Sequence, residues 1–224
     1  MKIAKSVVGG MLMSALSLNA LGVVVGPYNI PDNNVASKVT SFSGAGMDNG
    51  TDFVDPLTAT ELTDTNAGTF LATNIANGYN GVTVTMGFNG VSVGNGLGAD
   101  MVLFFLFDQT ANNVGISTGG SQVVPLSFFD VSNPPQQVVN NVQWDGQTLN
   151  NVELMAAEVD LGDLGVNSLN EFTLSMQQTT DIGVVAFSMA GALNTTEAVV
   201  PVPAAVWLFG SGLLGLAGVA RKRG

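Results

Sequence analysis

Met101-Val102-Leu103-Phe104-Phe105-Leu106-Phe107 is apolar throughout, closed off by Asp100 before it and Asp108 after it. Seven residues are too few for a membrane-spanning helix, which takes about 20. They also lack the polar positions of a surface helix or a half-exposed strand. The run therefore reads as a central strand buried on both faces. Outward from it, Val82-Thr83-Val84-Thr85-Met86 and Phe172-Thr173-Leu174-Ser175-Met176 alternate apolar with polar residues, as half-buried strands do. Val123 to Val131 and Val184 to Met189 are further strand segments, and Val152 to Glu158 fits either a helix or a strand.

Between these runs the chain is punctuated by turn pairs. Asn49-Gly50, Asn77-Gly78, Asn80-Gly81, Asn89-Gly90, Asn95-Gly96 and Asp145-Gly146 all combine residue types that tolerate positive φ. Asn133-Pro134-Pro135 must be loop, because proline cannot donate to a strand ladder. Short strands with turn signals every 8–12 residues or so predict an all-β fold, an antiparallel β-sandwich of jelly-roll type. No internal repeat points to a solenoid or propeller.

Hydrophobic residues make up 46% of the 224 and charged residues 10%, which suits a packed core rather than disorder. The basic residues are Lys2, Lys5, Lys38, Arg221, Lys222 and Arg223, so only Lys38 lies away from the ends. All 17 acidic residues fall between Asp32 and Glu197; set against Lys38 alone, they leave that stretch at a net −16. Such a body repels nucleic acid, because phosphate contacts need Lys and Arg. The chain has no Cys and no His. A Ser-His-Asp triad, a Cys nucleophile and a His-ligated zinc are all beyond it. The composition points away from an enzyme.

Three weaker signals remain. Asp48-Asn49-Gly50-Thr51-Asp52 with Asp55 gathers three carboxylates and an amide. Oxygen-rich loops of this kind suit Ca²⁺, although the spacing is not that of an EF-hand, and a solvated Asx-turn gives the same pattern. Asp48, Asp52 and Asp55 are thus the metal candidates, and no other cofactor is expected. Trp144, with Tyr28 and Tyr79, could offer a stacking surface to a sugar ring, which would make the body a carbohydrate-binding module; a lone Trp also serves as core. A glycosidase needs two carboxylates about 5–10 Å apart, and Asp100, Asp108, Glu153 and Glu158 are available. Among 17 acidic residues some pair is inevitable, so this third signal is the least specific.

The ends have a different character. Met1-Lys2-Ile3-Ala4-Lys5 is a short basic region followed by an apolar run from Val7 to Val25, the layout of a secretory signal peptide. Ala20-Leu21-Gly22 places small residues for a cut after Gly22. At the other end, Ala204 to Ala220 is 17 residues without a charge, long enough to span by the lower limit of about 17. Trp207 near its start suits the headgroup level, and Arg221-Lys222-Arg223 should stay cytoplasmic. Gly212, Gly215 and Gly218 give this helix one small-residue face.

The tail Val200-Pro201-Val202-Pro203-Ala204-Ala205-Val206-Trp207-Leu208-Phe209-Gly210-Ser211-Gly212-Leu213-Leu214-Gly215-Leu216, with its basic terminus, resembles the PEP-CTERM sorting tail of exosortase substrates. Val202 stands where the Pro-Glu-Pro motif has Glu, as in the Val-Pro-Leu-Pro-Ala-Ala variant of that tail. The resemblance implies cleavage close to Pro201, Val202, Pro203 and Ala204 by a membrane-embedded exosortase, in a bacterium that makes exopolysaccharide. More loosely, Gly98-Ala99-Asp100-Met101-Val102-Leu103-Phe104 is similar to a Gly-x-Asp-hydrophobic strand of such exported proteins. Together these readings predict a signal peptide over 1–22, a β-sandwich over 23–196, a linker with the sorting motif over 197–203, and a transmembrane helix with basic tail over 204–224. The expected protein is exported and held at the inner membrane as a precursor. It then reaches the cell surface or extracellular matrix as a structural or interaction protein, in contact with exopolysaccharide.

Overall fold

The computed structural model describes residues 22–44, 47–48, 52–53, 60–63, 65, 68–73, 81–106, 112–119, 122–131, 138–144, 147–179 and 184–197. They are almost entirely strand. The first half supplies β1 (Val23–Val25), β2 (Tyr28–Ile30), β3 (Ala36–Gly44), β4 (Met47–Asp48), β5 (Asp52–Phe53), β6 (Leu71–Ala72), β7 (Gly81–Phe88), β8 (Val91–Gly94) and β9 (Met101–Leu106). Then come β10 (Asn112–Ser117), β11 (Val124–Pro125), β12 (Phe129–Asp130), β13 (Val138–Val139), β14 (Val142–Trp144) and β15 (Gln147–Leu149). The chain closes with β16 (Val152–Val159), β17 (Ser168–Leu169), β18 (Glu171–Gln178), β19 (Ala186–Ala192) and β20 (Thr195–Glu197). Helix is limited to two 3₁₀ turns, Asp32–Asn34 and Thr60–Thr63.

The largest sheet runs β12-β16-β9-β19-β6-β4-β5, with β13 also on β16. β9 is an interior strand, flanked by β16 and β19. All six β9 residues are fully buried, as their unbroken apolarity predicts. One face of this sheet turns Met101, Leu103, Phe105, Met155, Ala157 and Phe187 into the larger core cluster. That cluster is completed by Val82, Val84, Met86, Phe172, Leu174 and Met176 of a five-stranded sheet ordered β11-β10-β18-β7-β3. The other face turns Val102, Phe104, Leu106, Leu154 and Ala156 into a second cluster, roofed by the β1–β2 hairpin and by Val142 of β14.

Both alternating runs named from the sequence are strands of the five-stranded sheet, paired with each other through Leu174↔Val84. Their apolar residues go to the core and their Thr and Ser residues outward, so the alternation reads directly as a two-sided sheet. The ambiguous stretch Val152 to Glu158 is the strand β16. Its even residues enter one cluster and its odd residues the other, which removes the polar beat that would have marked a strand. Val123 to Val131 is two short strands rather than one. β11 pairs with β10 and β12 with β16, so the chain changes sheet in between, next to Pro125 at an edge. Asn89-Gly90 separates β7 from β8, with Gly90 at φ 83°. The final strand β20 pairs Glu197 with Val91, carrying order one residue into the expected linker.

Candidate functional site

Asp100 is the most fully engaged carboxylate among the described residues, with no exposed surface. Its Oδ1 accepts from the Gly96 N–H (2.7 Å) and the Asn194 side-chain amide (2.8 Å), and its Oδ2 accepts from the Leu161 N–H (2.9 Å). Its own backbone N–H donates to Val159 and its carbonyl accepts from Leu193. One residue thereby ties together the approach to β9, the turn after β16 and the turn after β19. Burial alone would raise its pKa; the Leu161 N–H, the Asn194 amide and the Gly96 N–H outweigh that and hold the carboxyl below its usual range. A carboxylate whose oxygens are already filled by protein donors is a structural clamp. Held ionised and enclosed by these three donors, it has no proton to give.

Of the other carboxylates named from the sequence for a glycosidase, the described ones are Glu153 and Glu158. Glu153 and Glu158 are five positions apart on β16, so they leave opposite faces of the strand. Glu158 accepts from the Tyr28 hydroxyl at 2.6 Å. Tyr28 is itself buried, edge-on to Phe104, and its hydroxyl pKa is raised by burial and by Glu158. It offers no ring face to a sugar. Asp108 and Tyr79 lie outside the described residues.

Trp144 ends β14, half-buried, with its indole stacked on the fully buried Phe70 at a centroid distance of 6.0 Å and an interplanar angle of 24°. It packs against the second core cluster. One ring face is thus committed to the core. In the acidic turn, Asp48 stands opposite Asp52 in the β4–β5 pair. Asp55 lies outside the described residues. Among the described residues no group of three Asp or Glu side chains is placed to hold a metal ion. The sorting residues Pro201, Val202, Pro203 and Ala204, and the anchor residues Trp207, Arg221, Lys222 and Arg223, also lie outside them, as does the signal segment up to residue 21. Among the described residues no helix is long and apolar enough to cross a membrane.

Sequence reasoning found Asp100 as the polar boundary of an apolar run and as one of four candidate carboxylates, and not as a clamp. The Gly-x-Asp pattern before β9 was the available signal. Its partners Leu161 and Asn194 are 61 and 94 positions away, a proximity that no local pattern encodes.

No family model and no curated protein sequence matches the chain. Among solved structures, a chain of the one titled "X-ray crystal structure of reduced XRCC1 bound to DNA pol beta catalytic domain" aligns at 11% identity. The alignment covers 70% of this chain and 99% of that one, with a TM-score of 0.29. A superposition that loose carries no argument about fold or activity.

Proposed function

We propose that the protein is an exported, non-enzymatic component of the bacterial surface or extracellular matrix, matured by an exosortase acting near Pro201 to Ala204. The observation that carries this reading is the segregation of charge along the chain. Basic residues flank an apolar segment at each end, while the body between holds 17 acidic residues and only Lys38. A translocated chain with a retained basic tail has this layout. Val23, the residue after the expected cut at Gly22, pairs with Ile30 and so belongs to the folded body that the cut would leave. The body we read as a jelly-roll-like sandwich. What supports that is the shared core between the five-stranded sheet and one face of the larger sheet. The lack of His and Cys, with Asp100 held by three protein donors, favours a structural or interaction role over hydrolysis.

Mass spectrometry of the protein recovered from the cell surface tests the proposal. Expected are an N-terminus at Val23 and a C-terminus within Pro201 to Ala204, the second lost and the first kept in a strain lacking the exosortase. Intact Arg223 in the surface fraction would overturn it.

A further inference from the structure

The outer face of the five-stranded sheet contains a cleft beside β11. Val114, Ile116, Leu174 and Met176 are buried in the core, so the alternate residues Asn113, Gly115, Ser175 and Gln177 face outward. Register places Asn113 opposite Gln177, and Gly115 between Ser175 on one side and Pro125 on the other. Gly115 makes the shape possible. A Cβ there would sit 2.5 Å from the Val123 side chain and 3.0 Å from the Val124 carbonyl, so any other residue would push β11 away. What results is a cavity of about 290 Å³, floored by Gly115 and walled by Val123 and Pro125 against Asn113, Ser175 and Gln177. Its volume is at the lower end of ligand clefts, about 300–1,000 Å³.

We propose that this cleft is a binding site for a neutral glycan, taking one sugar unit of a longer chain. Two primary amides and a hydroxyl supply donors and acceptors side by side, the complement of vicinal sugar hydroxyls. Val123, 50% exposed, and Pro125 give an apolar wall for the C–H face of the ring. No charged side chain lines the cleft, so a phosphate, sulfate or uronate would find no counter-ion, and the net −16 of the body repels polyanions. The neighbouring surface continues the same chemistry. The rows Ser175–Thr83–Ser43 and Thr173–Thr85–Ser41 cross the sheet. Thr85 Oγ1 joins the hydroxyls of Ser41 (2.8 Å) and Thr173 (2.9 Å). A polymer leaving the cleft would lie on hydroxyls rather than on charges. The site has no aromatic platform, so each contact is weak and binding depends on many chains meeting one polymer. This inference takes its setting from the matrix reading and supplies that reading with a ligand.

Affinity electrophoresis of the full chain tests it, in a zwitterionic detergent without a sugar headgroup and with polymers cast in the gel. The probes are dextran and hydroxyethyl cellulose as neutral glycans, and alginate as the anionic one. At least one neutral polymer should retard the protein, unchanged by 0.5 M NaCl to within about twofold, because no ion pair is involved. Asn113→Ala combined with Gln177→Ala should weaken retardation at least tenfold while leaving the circular dichroism spectrum and thermal midpoint in place, since both side chains are exposed. Trp144→Phe should bind as the parent does. Retardation by alginate alone, by neither neutral polymer, or equally by the double variant would overturn the proposal. Binding in the gel needs neither export nor cleavage. A chain that binds but never reaches the surface defeats only the matrix reading, and one that matures normally but does not bind defeats only this one.

Discussion

Asp100 carries a buried negative charge that no cation faces among the described residues, since the ion pair there is Lys38 with Glu171 at 3.5 Å on the surface. Two N–H groups and one amide do the work instead, and charge-assisted bonds of this kind are roughly twice as strong as neutral ones. Asp100→Asn keeps the shape but turns an NH₂ group toward at least one donor. It should cost about 3 kcal/mol at pH 7, read from urea denaturation. The pH dependence has a definite sign. A folded pKa held below the unfolded value of about 3.9 gives stabilisation that is full above that pH and lost as pH falls through the folded pKa. The gap between parent and variant should therefore narrow toward pH 2; a gap constant with pH would show that the charge is not what the three donors hold. Trp144 supplies a second test at this scale. With its indole on Phe70, Trp144→Ala should lower stability by about 2 kcal/mol, whereas Trp144→Phe should lower it by less than about 1 kcal/mol. A Trp144→Ala variant as stable as the parent would return this ring to the pool of free binding surfaces.

At the scale of elements, the stretch from Val138 to Glu153 is one long hairpin interrupted once. Val139↔Val152 and Val142↔Leu149 share a single register, yet the two pairs are separated by Asn140-Asn141 on one strand and Asn150-Asn151 on the other. Asn141 and Asn151 take φ of 62° and 58°, and the chain crosses the break by side chain. Asn150 Oδ1 accepts from the Asn141 N–H at 3.1 Å and Asn140 Oδ1 from the Asn151 N–H at 3.0 Å. Replacing Asn141 by Gly should be nearly neutral, and replacing it by Val should cost about 1–2 kcal/mol, because a β-branched residue does not fit the left-handed region. Chemical denaturation of the two variants checks this, and equal stabilities would count against the strained geometry. The Asp145-Gly146 pair was readable as a turn, and β14 and β15 do pair on either side of it. The Asn-Asn breaks were not readable, since each residue alone signals only a generic turn and the meaning lies in their opposition across the hairpin. The same limit explains the other misreadings. Strands with two faces to satisfy differently, such as β7 and β18, announce themselves, while β16, buried on both, does not. The surroundings of Trp144, Tyr28 and Glu158 were not readable, because their partners lie far along the chain.

At the scale of the whole molecule, charge and topology pull in opposite directions. The pairings β3 with β7, β7 with β18 and β9 with β19 interleave the two halves of the chain, so the sheets close only when distant segments meet. The stretch that closes carries 17 acidic residues and one lysine, so folding works against its own net charge. The β4–β5 pair sets Asp48 opposite Asp52 in register. Self-repulsion of this kind is screened over about 10 Å at 0.1 M salt. The thermal midpoint should therefore rise by several degrees between 10 mM and 500 mM NaCl, with the largest gain below 100 mM. Calcium chloride at matched ionic strength separates screening from site binding. If screening is the whole effect, calcium and sodium curves should coincide and EDTA should change nothing. An added calcium increment that disappears in Asp52→Asn would instead place an ion at the Asp48–Asp55 turn. A midpoint indifferent to both salts would mean that the acidic residues are spread widely enough over the β surface to ignore one another. The net charge would then act on partners rather than on the fold.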